Sequence, residues 1–349
     1  MKKYIIAIVA IIILFMIDPF GKFSKLTSGK IGEDLKEYLE VSQEYRPDME
    51  ISDFQNGVLI YDGRKVKLLD ENGKYKFQTE IRSDNFQMET SKDRVYILDK
   101  VMKKVEILDQ DGKLVEEAQL KELPLNIKVL MNGNFLIHYS SEAGAEGISL
   151  YQKNGEKKQD ILNPKMRMTF MKEDPYGNGF FLSALDSRDK TLLNHIYYYD
   201  KNGNMVYGDE KKDILVSDVV FSKDMIAIID PNYVFINNRK FEQQYRVSME
   251  SPVIKAIESK DGFLTLDQDG VLKIIGKDGK VKKEIIHEEK ISEVETSEEV
   301  IISTSGRTLY LEGSKKKREF PADIVKMVVI SKEKVAVVFR GSIKFLKVV

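Results

Sequence analysis

The sequence predicts an all-β chain, an eight-bladed β-propeller of four-stranded blades preceded by an N-terminal transmembrane helix; seven blades are the alternative. Three observations carry this prediction. A unit of roughly 37 residues recurs about eight times. Each unit holds short runs of alternating apolar residues, separated by turn signals, at the spacing of a propeller blade. The chain also opens on two lysines followed by fourteen apolar residues, 4–17.

The unit is clearest over residues 85–120. Phe86, Met88 and Thr90 alternate as a strand. Ser91-Lys92-Asp93 is a turn, Val95 to Leu98 a second strand closed by Asp99, and Val105 to Leu108 a third. Asp111-Gly112 reads as a tight hairpin into a fourth, because glycine supplies the positive φ such turns need. The first turn returns as Ser222-Lys223-Asp224, Ser259-Lys260-Asp261 and Ser331-Lys332-Glu333. The second returns as Asn72-Gly73, Asn154-Gly155, Asn202-Gly203 and Asp278-Gly279.

The last unit has only three strands before the chain stops. An open blade leaves an unpaired edge, so its fourth strand must come from ahead of the first blade. Leu39, Val41 and Tyr45 alternate suitably. Ile31, Leu35, Tyr38 and Leu39 also fit a helical period. The expectation is a short helix there, with the closing strand nearer Pro47. The domain reading is residues 1–20 as signal anchor, 21–37 as stalk with a possible short helix, and 38–349 as the propeller.

As a helix, residues 4–17 span about 21 Å, short of the roughly 30 Å hydrocarbon core, with Phe20 and Phe23 extending the run. No small-residue cleavage site follows, so an uncleaved anchor is expected, with residues 4–20 meeting the membrane. Lysines flank both ends of the run, so charge alone sets no orientation. A hydrophobic run at the start of a chain acts as an export signal, which favours an extracytoplasmic propeller at the cell membrane. With 55 basic and 56 acidic residues, net charge is −1. That balance argues against a nucleic-acid partner. The run from Lys315 to Arg318 reads as a solvated face. There is no cysteine, hence no disulfide and no thiolate metal site.

No catalytic motif emerges. His138, His195 and His287 are scattered without metal-ligand spacing and read as structural. No phosphate loop, nucleophile elbow or dinucleotide fingerprint is present, and no cofactor or metal is implied. Asp62, Asp99, Asp186, Asp230 and Asp267 each end the second strand of a unit. Recurrence in five units favours a device that caps each turn's backbone over a binding site. Breaks in the repeat point to function instead. The connections at 140–147 and 186–194 are the longest between second and third strands, and Ser140, Glu142, Glu146, Arg188, Asp189 and Lys190 are the candidate binding residues.

With its Lys-Lys start, apolar anchor and units ending Asp-x-x-Gly-Lys, as at Asp70–Lys74 and Asp109–Lys113, the chain resembles the membrane-anchored bacterial β-propellers of unknown function of the DUF5711 type. The resemblance implies a propeller behind an anchor and brings no catalytic residues. The leading functional expectation is a non-enzymatic binding or scaffold module at the cell envelope, whose partner is an envelope protein or glycan. The alternatives are an envelope glycan- or peptide-processing enzyme using channel-mouth carboxylates, and a cytosolic scaffold tethered to the membrane.

Overall fold

A computed structural model of the chain describes residues 35–161, 166–177, 179–186, 192–297, 300–314 and 316–348. The expected anchor and most of the stalk, residues 1–34, lie outside these. Among the described residues, 32 strands form eight antiparallel four-stranded sheets. The first blade is Glu50–Phe54, Gly57–Tyr61, Lys65–Asp70 and Tyr75–Glu80, hydrogen-bonded in that order. These positions are called a to d. The a strands of neighbouring blades touch one another around a complete ring, so they line the channel and the d strands form the rim. Antiparallel pairing puts a–b and c–d turns on one face and b–c turns on the other.

Eight blades are therefore present, and the ring closes through the chain's beginning. In the last blade Lys326–Ser331, Lys334–Val338 and Ser342–Val348 are joined by Leu35–Ser42. The expected helix gives way here to strand, and the closing strand lies earlier than the neighbourhood of Pro47. The competition is decided by pairing. Leu35 lies opposite Val348 and Ser42 opposite Ser342, a long ladder that a helix would leave unmade. Leu35 packs between blades 7 and 8 while Leu39, Val41 and Tyr45 pack between blades 8 and 1. The ladder shifts register between Glu37 and Leu39, and this bulge turns Leu39 and Val41 to the face opposite Leu35. Pro47 sits in the turn that follows, where its missing N–H matters little.

Buried side chains explain the ring's rigidity. The b and c strands are nearly continuous apolar runs, such as Gly57–Tyr61 and Met225–Asp230, because both faces meet a neighbouring blade. Eight apolar clusters result among the described residues, one at each blade junction. The d strands show the half-exposed alternation of a rim, as in Tyr75–Glu80.

The c–d turns depart from the expected two-residue hairpin. At Asp109–Lys113 only Gly112 has positive φ (77°), and the ladder shifts register beside it. This is the three-residue loop with a bulge, in which glycine alone takes the left-handed position. Phe241 takes that position in blade 5 (φ 65°). A side chain at Gly112 would strike the Phe77 ring of blade 1, so the glycine also admits close inter-blade contact.

Candidate functional site

Four of the five recurrent aspartates, Asp62, Asp99, Asp230 and Asp267, prove to be turn caps. Asp99 Oδ1 accepts from the N–H groups of Val101 and Met102, at 2.9 and 2.8 Å. Asp62 does the same for Arg64 and Lys65, and Asp267 for Asp269 and Val271. Asp230 accepts from Asn232 and, through its second oxygen, from Leu215 of the linker into its own blade. Each side chain thus satisfies backbone donors that have no strand partner. Asp99→Ala and Asp267→Ala are each expected to lower unfolding free energy by about 0.5–2 kcal/mol, read from urea midpoints. An unchanged midpoint would contradict the capping role.

The candidate loop residues separate. Ser140 ends one strand and Glu146 begins the next, so the connection between them shrinks to a tight turn. In it the Ser141 N–H donates to Ala145 O and the Gly144 N–H to Ser141 O. Glu142 is exposed at its tip. Glu146 is turned inward: Oε2 accepts the Met168 N–H of blade 4 at 3.0 Å and lies 3.0 Å from His138 Nε2, and Oε1 lies 3.3 Å from Arg167. It joins two blades. Burial pushes the His138 imidazole down, against the opposing pull of Glu146. Arg188, Asp189 and Lys190 lie outside the described residues. Of the other histidines, His195 is buried beside Glu210 and His287 contacts Glu312.

The channel wall carries a polar arrangement that the repeat pattern concealed. The eight a strands hold nine acidic and five basic residues, so the wall is net negative in an almost neutral chain. Ion pairs stitch neighbouring a strands: Lys128 to Glu89 at 2.8 Å, Lys172 to Asp218 at 2.7 Å, Lys255 to Glu295 at 2.6 Å. Other side chains reach the next blade's backbone. Glu50 accepts the Met88 N–H, the Gln87 amide bonds both N–H and C=O of Ile127, and Lys326 donates to Ile51 O. Charge alone gave no signal, because b and c strands carry it too, as at Lys67, Glu106 and Lys273.

The wall's acids are perturbed accordingly. Desolvation pushes the carboxyls of Glu50, Glu173 and Glu293 above their ordinary range, with Glu89 or Glu295 adding repulsion. Asp53 is raised by the same two causes, enclosed by protein although its carboxyl touches channel water. A raised carboxyl favours the folded state fully below its unfolded value, about 4.5 for glutamate, and the benefit is lost as pH rises through the folded value. Glu50→Gln and Glu293→Gln keep an acceptor for the backbone bond. Each is expected to raise the thermal midpoint at neutral pH by about 1–3 °C, with the gain shrinking toward pH 4.5 in a pH series of melts. A gain that grows on acidification would contradict the assignment.

Two openings adjoin at the a–b mouth of the channel. One, ≈ 430 Å³, is lined by Asp53, Glu295, Thr296 and Lys326. The other, ≈ 460 Å³, is lined by Tyr176, Glu258, Lys260 and Thr296. Tyr176 of blade 4 reaches to blade 6, where its hydroxyl donates to Glu258 Oε2 at 2.5 Å, and that bond pushes the phenol up to about 12. No group of three or more His, Asp or Glu side chains placed to hold a metal ion occurs among the described residues.

The geometry defines an eight-bladed propeller with a charged, internally bonded channel, a fold class rather than a particular chemistry. The chain belongs to the family described as "Family of unknown function (DUF5711)", whose model matches residues 34–348. No curated protein matches it. Among solved structures it is similar to BamB from Moraxella catarrhalis, with TM-score 0.65 and 11% identity over 90% of this chain and 99% of that one. Sqt1 from Saccharomyces cerevisiae matches with TM-score 0.65 and 10% identity, over 90% and 99%. BBS1N, crystallised in complex with ARL6DN, matches with TM-score 0.55 and 10% identity, over 91% and 98%. Likeness at this identity shows the fold.

Proposed function

We propose that the chain is a membrane-anchored, extracytoplasmic binding or scaffold module whose partner, an envelope protein or glycan, docks on the b–c face. The observation that carries this reading is where the chain enters the ring. Leu35 pairs with Val348 at the a–b end of blade 8, so an anchor within residues 4–20 attaches to the a–b side. The b–c face, with the turn at Glu142 and the connection after Asp186, is then turned away from the membrane. Exposed apolar side chains on that face, Val101, Met102 and Ile254, suit protein contact. The complex of BBS1N with ARL6DN is a precedent for a propeller of this shape holding a protein.

The test replaces residues 141–145 and 187–192 with short turns and compares partners captured by intact and shortened propellers of equal thermal stability. Loss of a specific partner supports docking on this face, and identical partner profiles overturn it. Protease treatment of intact cells separates an extracytoplasmic propeller, which is cut, from a cytosolic tethered one, which is protected.

One observation favours a second reading, an envelope glycan- or peptide-processing enzyme. Asp53 and Glu295 line the same channel-mouth cleft, the first with a raised carboxyl and the second ion-paired with Lys255. Carboxylates in unequal environments are the usual acid–base arrangement. Hydrolysis of envelope glycan or peptide that disappears in Asp53→Asn would establish it, and equal turnover by the variant would dismiss these residues.

A further inference from the structure

We propose that the groove between blades 2 and 3 binds one ring of a neutral sugar. The site uses neither the channel nor the b–c turns, and it stands or falls apart from docking there.

The groove arises where the repeat breaks. The c–d bulges align the blades residue by residue. Two residues before the shifted one, blades 1, 2, 4, 5 and 6 carry Lys67, Glu106, Tyr197, Phe235 and Lys273. Blade 3 carries Ser149 there. A serine in place of a long side chain leaves a cavity of ≈ 120 Å³. At about 30 Å³ per water this is roughly four waters, room for one sugar ring edge-on and not for two. Three strands of blade 3 present one face to it. Ser149 and Tyr151 alternate on the c strand. Ile137 and Tyr139 lie on the same face of the b strand, opposite Ser149 and Gly147. The bulge brings Lys157 and Asp160 of the d strand opposite Tyr151 and Ser149. Leu120, Lys121 and Glu122, on the linker leaving blade 2, form the other wall.

The polar groups suit hydroxyls. Tyr151 is 6% exposed, yet its hydroxyl bonds to no described residue and is open to the groove. Its counterpart in blade 4, Tyr199, closes the same position by donating to Ile161 O. Buried polar groups find partners, and here a ligand or water supplies the missing one. Burial, with Asp160 adding repulsion, pushes the Tyr151 phenol up to about 12, so it remains a donor. Ser149 donates to Asp160 at 2.6 Å and keeps its lone pairs for a ligand hydroxyl. The Gln119 amide nitrogen is occupied by Met102 O and Lys103 O, which leaves its carbonyl oxygen as an acceptor. Closely spaced donors and acceptors match a hydroxyl, which is both. Tyr139 offers a flat surface to the C–H face of a ring. Gly147 lies beneath it, where any side chain would strike the phenol.

The charges select a neutral ligand. Lys157 is paired with Asp160 at 2.6 Å, and Lys121 stands beside Glu122. These four charges sum to zero, so neither an anionic nor a cationic sugar finds a free counter-ion.

The test is saturation-transfer NMR titration of the full-length protein in a sugar-free detergent. The probes are glucose, galactose, N-acetylglucosamine, the charged glucuronate and glucosamine, and cyclohexanol. Saturable binding of at least one neutral sugar is expected, with Kd on the order of 1–10 mM, and cyclohexanol inert. Equal binding of that sugar's methyl glycoside gives the end of a glycan chain as the source, and binding of the free sugar alone gives a free monosaccharide. Tyr151→Phe should weaken binding about tenfold at an unchanged thermal midpoint, since the lost hydroxyl has no protein partner. Ser149→Phe, which supplies the bulk that Phe235 has in blade 5, should abolish binding; if that variant unfolds, Tyr151→Phe still decides. No saturable binding of any of the three neutral sugars at about 50 mM, or equal affinity in Tyr151→Phe, overturns the proposal. So does binding of glucuronate, glucosamine or cyclohexanol as tight as that of the neutral sugar.

Discussion

A chain lacking residues 1–42 is expected to be less stable by on the order of 5 kcal/mol than one lacking only residues 1–34. The difference is the strand Leu35–Ser42. Its removal takes Leu35, Leu39 and Val41 out of two junction clusters and uncovers Phe345. Full burial of such side chains is worth roughly 1.5–3 kcal/mol each, and Leu39 and Val41 are only partly buried. Lost with them are the bonds of Arg318 to Leu35 O and Glu37, and of Lys344 to Glu37, which tie the closing strand to blades 7 and 8. The exposed edge of Ser342–Val348 would then be free to pair with another chain. Urea denaturation and light scattering read both effects. Equal midpoints in the two truncations would mean that the ring does not depend on its N-terminal strand.

The second large effect is expected at Asp174. Its side chain is fully buried, and its oxygens accept from the Tyr176 N–H at 3.0 Å, the Tyr198 hydroxyl at 2.7 Å and the Arg239 guanidinium. Arg239 belongs to the c–d turn of blade 5, where it also donates to Ser222 O and lies over the Phe221 ring. The pair therefore locks blade 4 to blade 5, and Gly177 is needed because a side chain there would strike Asp174, Tyr198 and Arg239. Asp174→Ala leaves the buried Tyr198 phenol and a guanidinium on a side chain 26% exposed without their acceptor. A loss of about 3–5 kcal/mol is expected, as for other buried pairs deprived of one member. Tyr198→Phe, which removes one bond and leaves the ion pair, should cost about 1 kcal/mol. Equal losses in the two variants would show that the ion pair adds nothing.

Architecture was legible in the sequence because it is written redundantly. Eight copies of one pattern, each with turn signals at fixed offsets, outweigh any single ambiguous run. The aspartate caps were legible for the same reason. The closing strand was not, because it occurs once. Leu35 and Leu39 satisfy helical and extended spacing alike, and only the ladder with Ser342–Val348, some 300 residues away, decides between them. The c–d loops were read one residue too short, since Asp-Gly suits both a two-residue turn and the bulged loop seen at Asp111-Gly112. Channel chemistry was hidden differently. Lys128 and Glu89 lie 39 residues apart and resemble ordinary polar residues on short strands until the ring brings their blades together. Glu146, a candidate for binding, is held by Met168, His138 and Arg167, whereas Glu142 four residues earlier remains exposed at the turn.

Docking on the b–c face is tested most directly by photo-crosslinking in living cells. A photoreactive residue is placed at Glu142 on that face, or at Lys201 in a c–d turn on the other. Both positions are exposed. A discrete adduct to one partner from position 142, absent from position 201, is the expected result. Adducts formed only from position 201 would place the partner on the a–b face and contradict the docking role of the b–c face.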